Sequence, residues 1–404
     1  MIDHEEARRL VLEAAGTLPA ESVPAARAMG RTLARDIRAR EDIPPFTKAT
    51  MDGYAVRAAD TRPAAAAAGP VELDVVDDLT AGRRSRRTVG PGQAVRIMTG
   101  APLPRGADAV VMVEDTERRD GRVAVRRAVR PGANIGLAGE DMKKGEVALA
   151  RGALIGPAES GMLAAAGLVR VPVVRRPRLA VIATGDEIVE PGERKRPGQI
   201  RNANGAALTA LAAAAGAEAR YLGIARDRSD SLRRKLARAG DADILVLSGG
   251  VSVGDHDLVK DGLLAAGVRT VFWKVRIKPG KPVFFGRRGR QLVFGLPGNP
   301  TSAMVTFLLF VRPAVERLLG RESPGPRRGR AVLTEEIVLK PGRRQFLRGL
   351  LDADGSTLRV RPYADQRSGV LRSMVRSRVL IDLPADAERV EAGREVDIVY
   401  TDGG

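Results

Sequence analysis

The alternation of hydrophobic and polar positions changes character along this chain of 404 residues. Asp3 and Glu6 form a capping box for a helix running to about Ala15 and closed by Gly16. Residues 24–42 read as mainly helical or mixed. From Pro44 to about Asp141, short apolar runs alternate with turn residues. Strands are predicted at 71–76, 94–98, 109–113 and 122–125, with a hairpin at Asp120-Gly121. Gly156-Pro157 starts a helix that Gly167 ends. After Pro177, apolar runs at 179–183, 221–225, 244–247, 271–272 and 292–294 alternate with helical stretches at 205–215, 229–239, 257–266 and 301–319. Near-continuous apolar strands separated by helices predict a doubly wound, mostly parallel sheet. Residues 322–330 resemble a linker. Beyond them Asp354-Gly355 marks another hairpin, and the last domain is expected to be all β. The expected organisation is α/β and multidomain: a helical or mixed linking region at 1–43 and 142–176, a β-rich domain at 44–141, the doubly wound domain at 177–326 and a C-terminal β domain at 327–404.

Composition narrows the chemistry. The 44% of hydrophobic residues supports real cores. The most apolar stretch, around 301–311, meets Arg312 and Pro313 and is too short to span a bilayer. The N-terminus is acidic and lacks a signal-peptide core, so a cytoplasmic enzyme is expected. With no cysteine, disulfides, thiolate zinc sites and iron–sulfur clusters are excluded, and with only His4 and His256 a histidine-based metal site is disfavoured. A metal here would be hard and held by oxygen, like magnesium. The net charge of +18, from 67 basic and 49 acidic residues, attracts anions. The basic clusters, such as Arg83-Arg84-Ser85-Arg86-Arg87, are scattered and read as solvated surface. Aromatics at 3% poorly supply stacking platforms for single strands.

In a doubly wound sheet, ligands bind beyond the carboxyl ends of the strands. Asp186 and Glu187 follow the first strand there, Asp227 follows the second, and Ser248-Gly249-Gly250 follows the third. Lys274, Lys278 and Lys281 surround a turn at Pro279-Gly280 after the fourth. Gly295–Pro300, with Pro297, follows the last and opens a helix with Asn299 as N-cap and Pro300 at its first position. Each element alone is an ordinary turn, cap or solvated charge. Their convergence on one rim suits a magnesium ion, carried by carboxylates and substrate phosphates, with lysines neutralising the rest. Asp257, after the glycine-rich turn, can reach such an ion, and Lys278 can turn back over the rim. His256, flanked by acids, reads as a polar loop residue. No Ser/His/Asp or Cys/His set supports covalent catalysis.

At these residues the chain resembles the molybdopterin molybdenumtransferase family, MoeA, which includes the C-terminal domain of gephyrin. Pro44-Pro45-Phe46 with 51–56, residues 96–102, Gly139-Glu140-Asp141, 184–187, 248–257, 278–282 and 295–300 resemble family motifs in family order. The resemblance implies an elongated homodimer of four-domain subunits. It also implies magnesium-dependent insertion of molybdate into the dithiolene of adenylylated molybdopterin, with release of AMP. Asp52, Thr99 and Asp141 would face the cleft from the β-rich part, and Glu187, Asp227, Asp257, Lys274 and Lys278 from the rim. Arg348 and Ser368 would reach in from the C-terminal domain. Asp52, Asp141, Glu187, Asp257, Lys274 and Lys278 are the expected catalytic residues, with Glu187, Asp227 and Asp257 as metal ligands. Thr99, Asp227, Ser248, Gly249, Gly250, Lys281, Pro297, Asn299, Pro300, Arg348 and Ser368 are the expected substrate-binding residues. Two positions depart from the family pattern. Gln366-Arg367-Ser368-Gly369 stands where members often have glycine, serine and then histidine, and Thr47 stands where an acid is frequent. A peptide-binding scaffold on the same fold and, from charge alone, a nucleic-acid-binding protein are the alternatives.

Overall fold

A computed structural model describes residues 1–65, 69–250, 258–354 and 357–401. Helix α1, His4–Ala14, opens as the capping residues require. The Asp3 side chain accepts from the Glu6 N–H, at 2.8 Å. The reciprocal half of the box is not made, because Glu6 instead pairs with Arg9. Residues 24–42 differ from expectation. They hold a single turn of 3₁₀ helix at Ala25–Arg27 and a short strand at Ile37–Arg38 that pairs with Val147–Leu149. Strand Ala20–Pro24 likewise pairs with Arg170–Val174, so segments about 150 residues apart are joined by main-chain bonds. Local sequence cannot announce such long-range pairing.

The β-rich part contains a six-stranded sheet built from Gly53–Val56, Val71–Leu79, Gln93–Ile97, Ala109–Met112, Thr116–Arg119 and Arg122–Val125. Asp120 and Gly121 both take positive φ, 38° and 81°, as a tight two-residue hairpin requires.

The doubly wound sheet has six strands: β1 Arg178–Thr184, β2 Glu218–Ala225, β3 Ile244–Ser248, β4 Arg269–Trp273, β5 Phe284–Arg288 and β6 Gln291–Leu296. Their spatial order is β2-β1-β3-β6-β5-β4. The first four in that order run parallel; β5 pairs antiparallel with β6 and β4 antiparallel with β5, so β5 alone runs against the rest. Successive residues of β1 enter opposite cores, Leu179 and Val181 on one face and Ala180 and Ile182 on the other. Burial on both faces explains the uninterrupted apolar run. Helices α2 Ala203–Ala214, α3 Ser229–Arg238 and α4 Leu258–Ala265 connect the strands. Strand β5 was not expected. It follows Pro282 and reaches β6 through a two-residue turn at Gly289, where φ is 59°.

The predicted helix at 301–319 is one rod with a change of winding. Helix α5 is Pro300–Thr306 and α6 is Arg312–Leu318, and Phe307–Val311 between them is π-helical. Pro313 supplies the reason. It has no N–H and its ring would collide with the carbonyl four residues back, and the wider turn lets the Arg312 N–H bond to the Phe307 carbonyl instead.

The C-terminal part closes on itself. Arg344–Asp354 pairs with Thr357–Pro362 and with Val379–Leu383, and Glu395–Tyr400 and Arg328–Leu333 complete the ring. It is β-rich and not wholly β, since a short helix spans Leu371–Arg376. One pairing matters for the site. Ile277-Lys278 adds alongside Arg344-Gln345, tying the lysine turn after β4 to the C-terminal barrel.

Candidate active site

Two adjoining clefts lie at the carboxyl rim of the doubly wound sheet. The first, of about 410 Å³, is lined by Glu187, Asn204, Ser248, Gly249, Gly250 and Pro297 to Pro300, among others. The second, of about 760 Å³, is lined by Lys278, Lys281, Arg343, Arg348, Asp365 and Ser368, among others. Both share Pro282, Pro297 and Asn299. The topology explains this convergence, because β1, β3 and β6 end side by side and each gives its following turn to the same edge.

The glycines of the third turn are required by space. Gly249 has φ 95°, and a Cβ there would lie 2.7 Å from the Thr184 carbonyl oxygen. Gly250 has φ 64°, and its Cβ would meet Val259 at 2.4 Å. The backbone of β3 therefore runs directly against that of β1. The Thr184 hydroxyl donates to the Ser248 carbonyl, at 3.3 Å. Asn299 caps α5 in position but not by its side chain, whose Nδ2 donates to the Ser368 hydroxyl at 2.8 Å. The Thr301 N–H donates to the Ser368 carbonyl, so the loop from the barrel is fastened to the start of α5.

Arg348 dominates the second cleft. Its side chain is almost wholly buried, at 1% exposure, and among the described residues no carboxylate forms an ion pair with it. Its Nε donates to Ser373 Oγ at 3.1 Å, and one Nη donates to the carbonyls of Asp365 and Arg367, both at 3.2 Å. Gln366 clamps the Arg348 backbone from both sides, accepting its N–H and donating to its carbonyl. Burial pulls the guanidinium down to about 10, against the pull of Asp365. It still carries its charge at neutral pH. Arg367 is turned away onto Asp365, at 2.6 Å. A buried cation without a bonded counter-charge is costly, and Lys278, Lys281 and Arg343 outnumber Asp365 in the same space. The cavity is suited to a multivalent anion.

The carboxylates occupy the opposite side of the rim. Glu187 lines the first cleft, with its carboxylate folded against Gly185. Asp186 and Asp227 bind each other's backbone, Asp186 N–H to Asp227 Oδ2 at 3.3 Å and Asp227 N–H to Asp186 Oδ1 at 3.2 Å. Asp227 lines neither cleft. Among the described residues, no three histidine or acidic side chains gather as a ready-made metal cage. His256 and Asp257 lie outside the described residues. Lys274 lies on the main chain between β4 and the lysine turn, in left-handed conformation at φ 70°, with its ammonium 5.1 Å from the Trp273 ring. It lines neither cleft.

Asp52, Thr99 and Asp141 also line neither cleft of their own chain. Asp52 and Thr99 form a unit. The Thr99 N–H and hydroxyl both donate to Asp52 Oδ1 at 2.7 Å, and these bonds hold the carboxyl below its ordinary range. Asp141 is exposed, and its N–H bonds to the Ile43 carbonyl. The reading of the sequence missed Asn202, Asn204, Arg343 and Gln366. Asn202 had a signal. It precedes an alanine-rich helical run and caps α2, accepting from the Gly205 N–H at 2.9 Å.

Fold and clefts define a multidomain α/β protein with an anion-suited rim. Three family models cover the chain in order: the MoeA N-terminal region (domain I and II) at residues 2–167, a probable molybdopterin binding domain at 180–317, and the MoeA C-terminal region (domain IV) at 330–400. Molybdopterin molybdenumtransferase 2 of Mycobacterium tuberculosis is 39% identical over 400 residues, 98% of each chain. Molybdopterin molybdenumtransferase of Bacillus subtilis is 38% identical over 377 residues, 91% of this chain and 87% of its own. The solved structure of a molybdopterin biosynthesis MoeA protein from Pyrococcus horikoshii superposes with a TM-score of 0.87 at 35% identity and full coverage of both chains. The chain belongs to the molybdopterin molybdenumtransferase (MoeA) family, which makes it a transferase of molybdenum cofactor biosynthesis. No helix among the described residues is long and apolar enough to cross a membrane.

Proposed function

We propose that this chain inserts molybdate into the dithiolene of adenylylated molybdopterin, with magnesium, and releases AMP. The observation that carries the reading is the buried Arg348, with no ion-pair partner among the described residues, in one cavity with Lys278 and Ser368. Molybdate is a compact dianion, and a guanidinium flanked by an ammonium and a hydroxyl is complementary to it. Arg348, Lys278, Lys281 and Ser368 hold the oxyanion. The cleft along Ser248, Gly249, Gly250 and Pro297 to Pro300 takes the pterin nucleotide. Two Mo–S bonds form to the dithiolene as two molybdate oxygens leave as water, taking up the thiol protons and protons from solvent, and a water molecule cleaves the anhydride joining the pterin phosphate to AMP. Lys278, which lines the second cleft, offsets charge that develops as that bond opens.

Magnesium needs only one or two protein carboxylates when phosphates and water complete its shell. The exposed oxygen donors of Glu187 and Asp227 fit that demand without a preformed cage, and Asp257 is assigned with them. When bound, the ion neutralises phosphate charge. Asp52, Thr99 and Asp141 serve the cleft of a partner subunit in a homodimer. What supports this is that they carry a fastened carboxylate pattern yet line no rim cleft of their own chain. The test is cofactor formation from purified chain, adenylylated molybdopterin, molybdate and magnesium, read by activation of a molybdenum-free apoenzyme. EDTA should abolish it, and magnesium or manganese, unlike zinc, should restore it. Full turnover in metal-free buffer would remove the metal, and no cofactor formation at all would remove the reading.

A further inference from the structure

The first cleft contains an acceptor that nothing among the described residues satisfies. Asn204, near the start of α2, donates its Nδ2 to the Gly298 carbonyl at 2.7 Å and to Ser248 Oγ at 2.8 Å. A carbonyl can only accept, so the amide nitrogen must face Gly298. The Ser248 hydroxyl is itself within 3.3 Å of the Pro297 carbonyl, to which it donates, leaving its lone pairs for Asn204. The chain of partners fixes the carboxamide, and its Oδ1 is left buried with no hydrogen-bond partner. Asn202, two residues earlier, differs. Its oxygen caps α2 and its Nδ2 donates to the Tyr221 hydroxyl at 2.6 Å, so both ends are used. Other buried unpaired acceptors, on Thr32, Gln291 and Ser377, line neither rim cleft.

Buried acceptors are almost always matched, and the match here must be a donor. Molybdate oxygens present lone pairs and cannot supply it. A nitrogen heterocycle can, and of the donors available, which include water and ribose hydroxyls, a ring N–H is the one that would distinguish one base from another. We infer that Asn204 is a specificity residue, whose Oδ1 accepts an N–H from the fused heterocycle of the substrate while its Nδ2 fastens the ends of β3 and β6 around that ring. The inference rests on the proposed function and deepens it, because both the pterin and the adenine of adenylylated molybdopterin carry such N–H groups.

The test compares wild type with Asn204→Leu, which keeps the bulk and removes the acceptor together with the fastening Nδ2, Asn204→Asp, which keeps an acceptor and removes only the Nδ2, and Asn204→Ser, which shortens the side chain should the first variant not fold. Dissociation constants are measured for adenylylated molybdopterin, molybdopterin, AMP, IMP and molybdate, together with melting temperature. The expected result for Asn204→Leu and Asn204→Ser, not shared by Asn204→Asp, is about 10- to 100-fold weaker binding of adenylylated molybdopterin, the scale of one buried polar group left unpaired, with molybdate affinity unchanged. If adenine supplies the donor, wild type prefers AMP over IMP, whose oxo group replaces the amino group, and Asn204→Leu and Asn204→Ser lose that preference. If the pterin supplies it, AMP and IMP behave alike and molybdopterin itself shows the loss. Unchanged affinity for every ligand in folded Asn204→Leu or Asn204→Ser overturns the inference. So does a parallel loss of molybdate affinity and melting temperature, which would make Asn204 only a structural fastener. A wild-type protein that binds none of the pterin or adenine ligands overturns the proposed function, and the inference with it.

Discussion

At the scale of single residues, Arg348 and Asp243 illustrate opposite ways to bury a charge. Asp243 sits just before β3, where the two Nη atoms of Arg175 grip its oxygens at 2.8 and 2.7 Å and the Arg178 N–H adds a third bond at 2.8 Å. Burial pushes its carboxyl up, but the bonds and charge of Arg175 and the Arg178 amide outweigh this and hold it below the ordinary range. A depressed carboxyl contributes stability above its unfolded value, near 3.9, and loses it as pH falls through the lower folded value. Asp243→Asn should therefore cost about 1–3 kcal/mol at pH 7. The gap to wild type should close below about pH 3.9, as melting curves across pH would show. The residue lies at the strands' amino ends, so turnover of the folded variant should hold. Arg348 has no such partner. Arg348→Met removes a buried cation that no carboxylate among the described residues grips, together with its hydrogen bonds to Ser373 and to the Asp365 and Arg367 carbonyls, and the relieved desolvation should offset much of the lost bonding, so the ligand-free protein should melt within a few degrees of wild type. Molybdate binding should fall by at least about tenfold to a hundredfold. A large drop in melting temperature with retained molybdate affinity would make Arg348 structural. Neither partnership could be read from the sequence. Asp243 and Arg175 are 68 residues apart, and the isolation of Arg348 is a property of its surroundings.

At the scale of elements, the rim turns are dictated by how closely strands approach. Gly249 lies against the carbonyl of Thr184, a backbone contact that no side-chain movement relieves. Gly249→Ala adds both this clash and a Cβ at φ 95°, together a strain of at least about 1–3 kcal/mol. It should lower both the melting temperature and the affinity for the pterin nucleotide. An unaltered protein would mean the turn can be rebuilt. Much of this level was legible. The strand–helix alternation after Pro177 found five of the six strands, because two-faced burial leaves a continuous apolar run. It missed β5, whose short run after Pro282 is held by a hairpin. It also read α5 and α6 as a single regular helix, although Pro313 carried the warning of a change in winding.

At the scale of the whole molecule, the proposed dimer predicts complementation. Asp52→Ala and Arg348→Ala chains, each inactive alone, should regain part of the wild-type activity when mixed into heterodimers, because one cleft would be intact in both contributions. No recovery in verified heterodimers would mean that each site is built within one chain. The sequence by itself determined the class of fold, the rim on which chemistry gathers and the family, because these depend on local periodicity, turn residues and motif order. The exclusion of thiolate metal sites, and the preference for oxygen donors, follow from a chain with no cysteine and two histidines. Only the tertiary structure decided which of those residues meet. The pairing of Ile277-Lys278 with Arg344-Gln345 brings Lys278 and Arg348 to one cavity across some 70 residues. The ends of β3 and β6 leave Asn204 with a fixed amide and a spare acceptor. Such meetings depend on long-range main-chain pairing and on the space left between packed elements, and neither leaves a periodic trace in the chain.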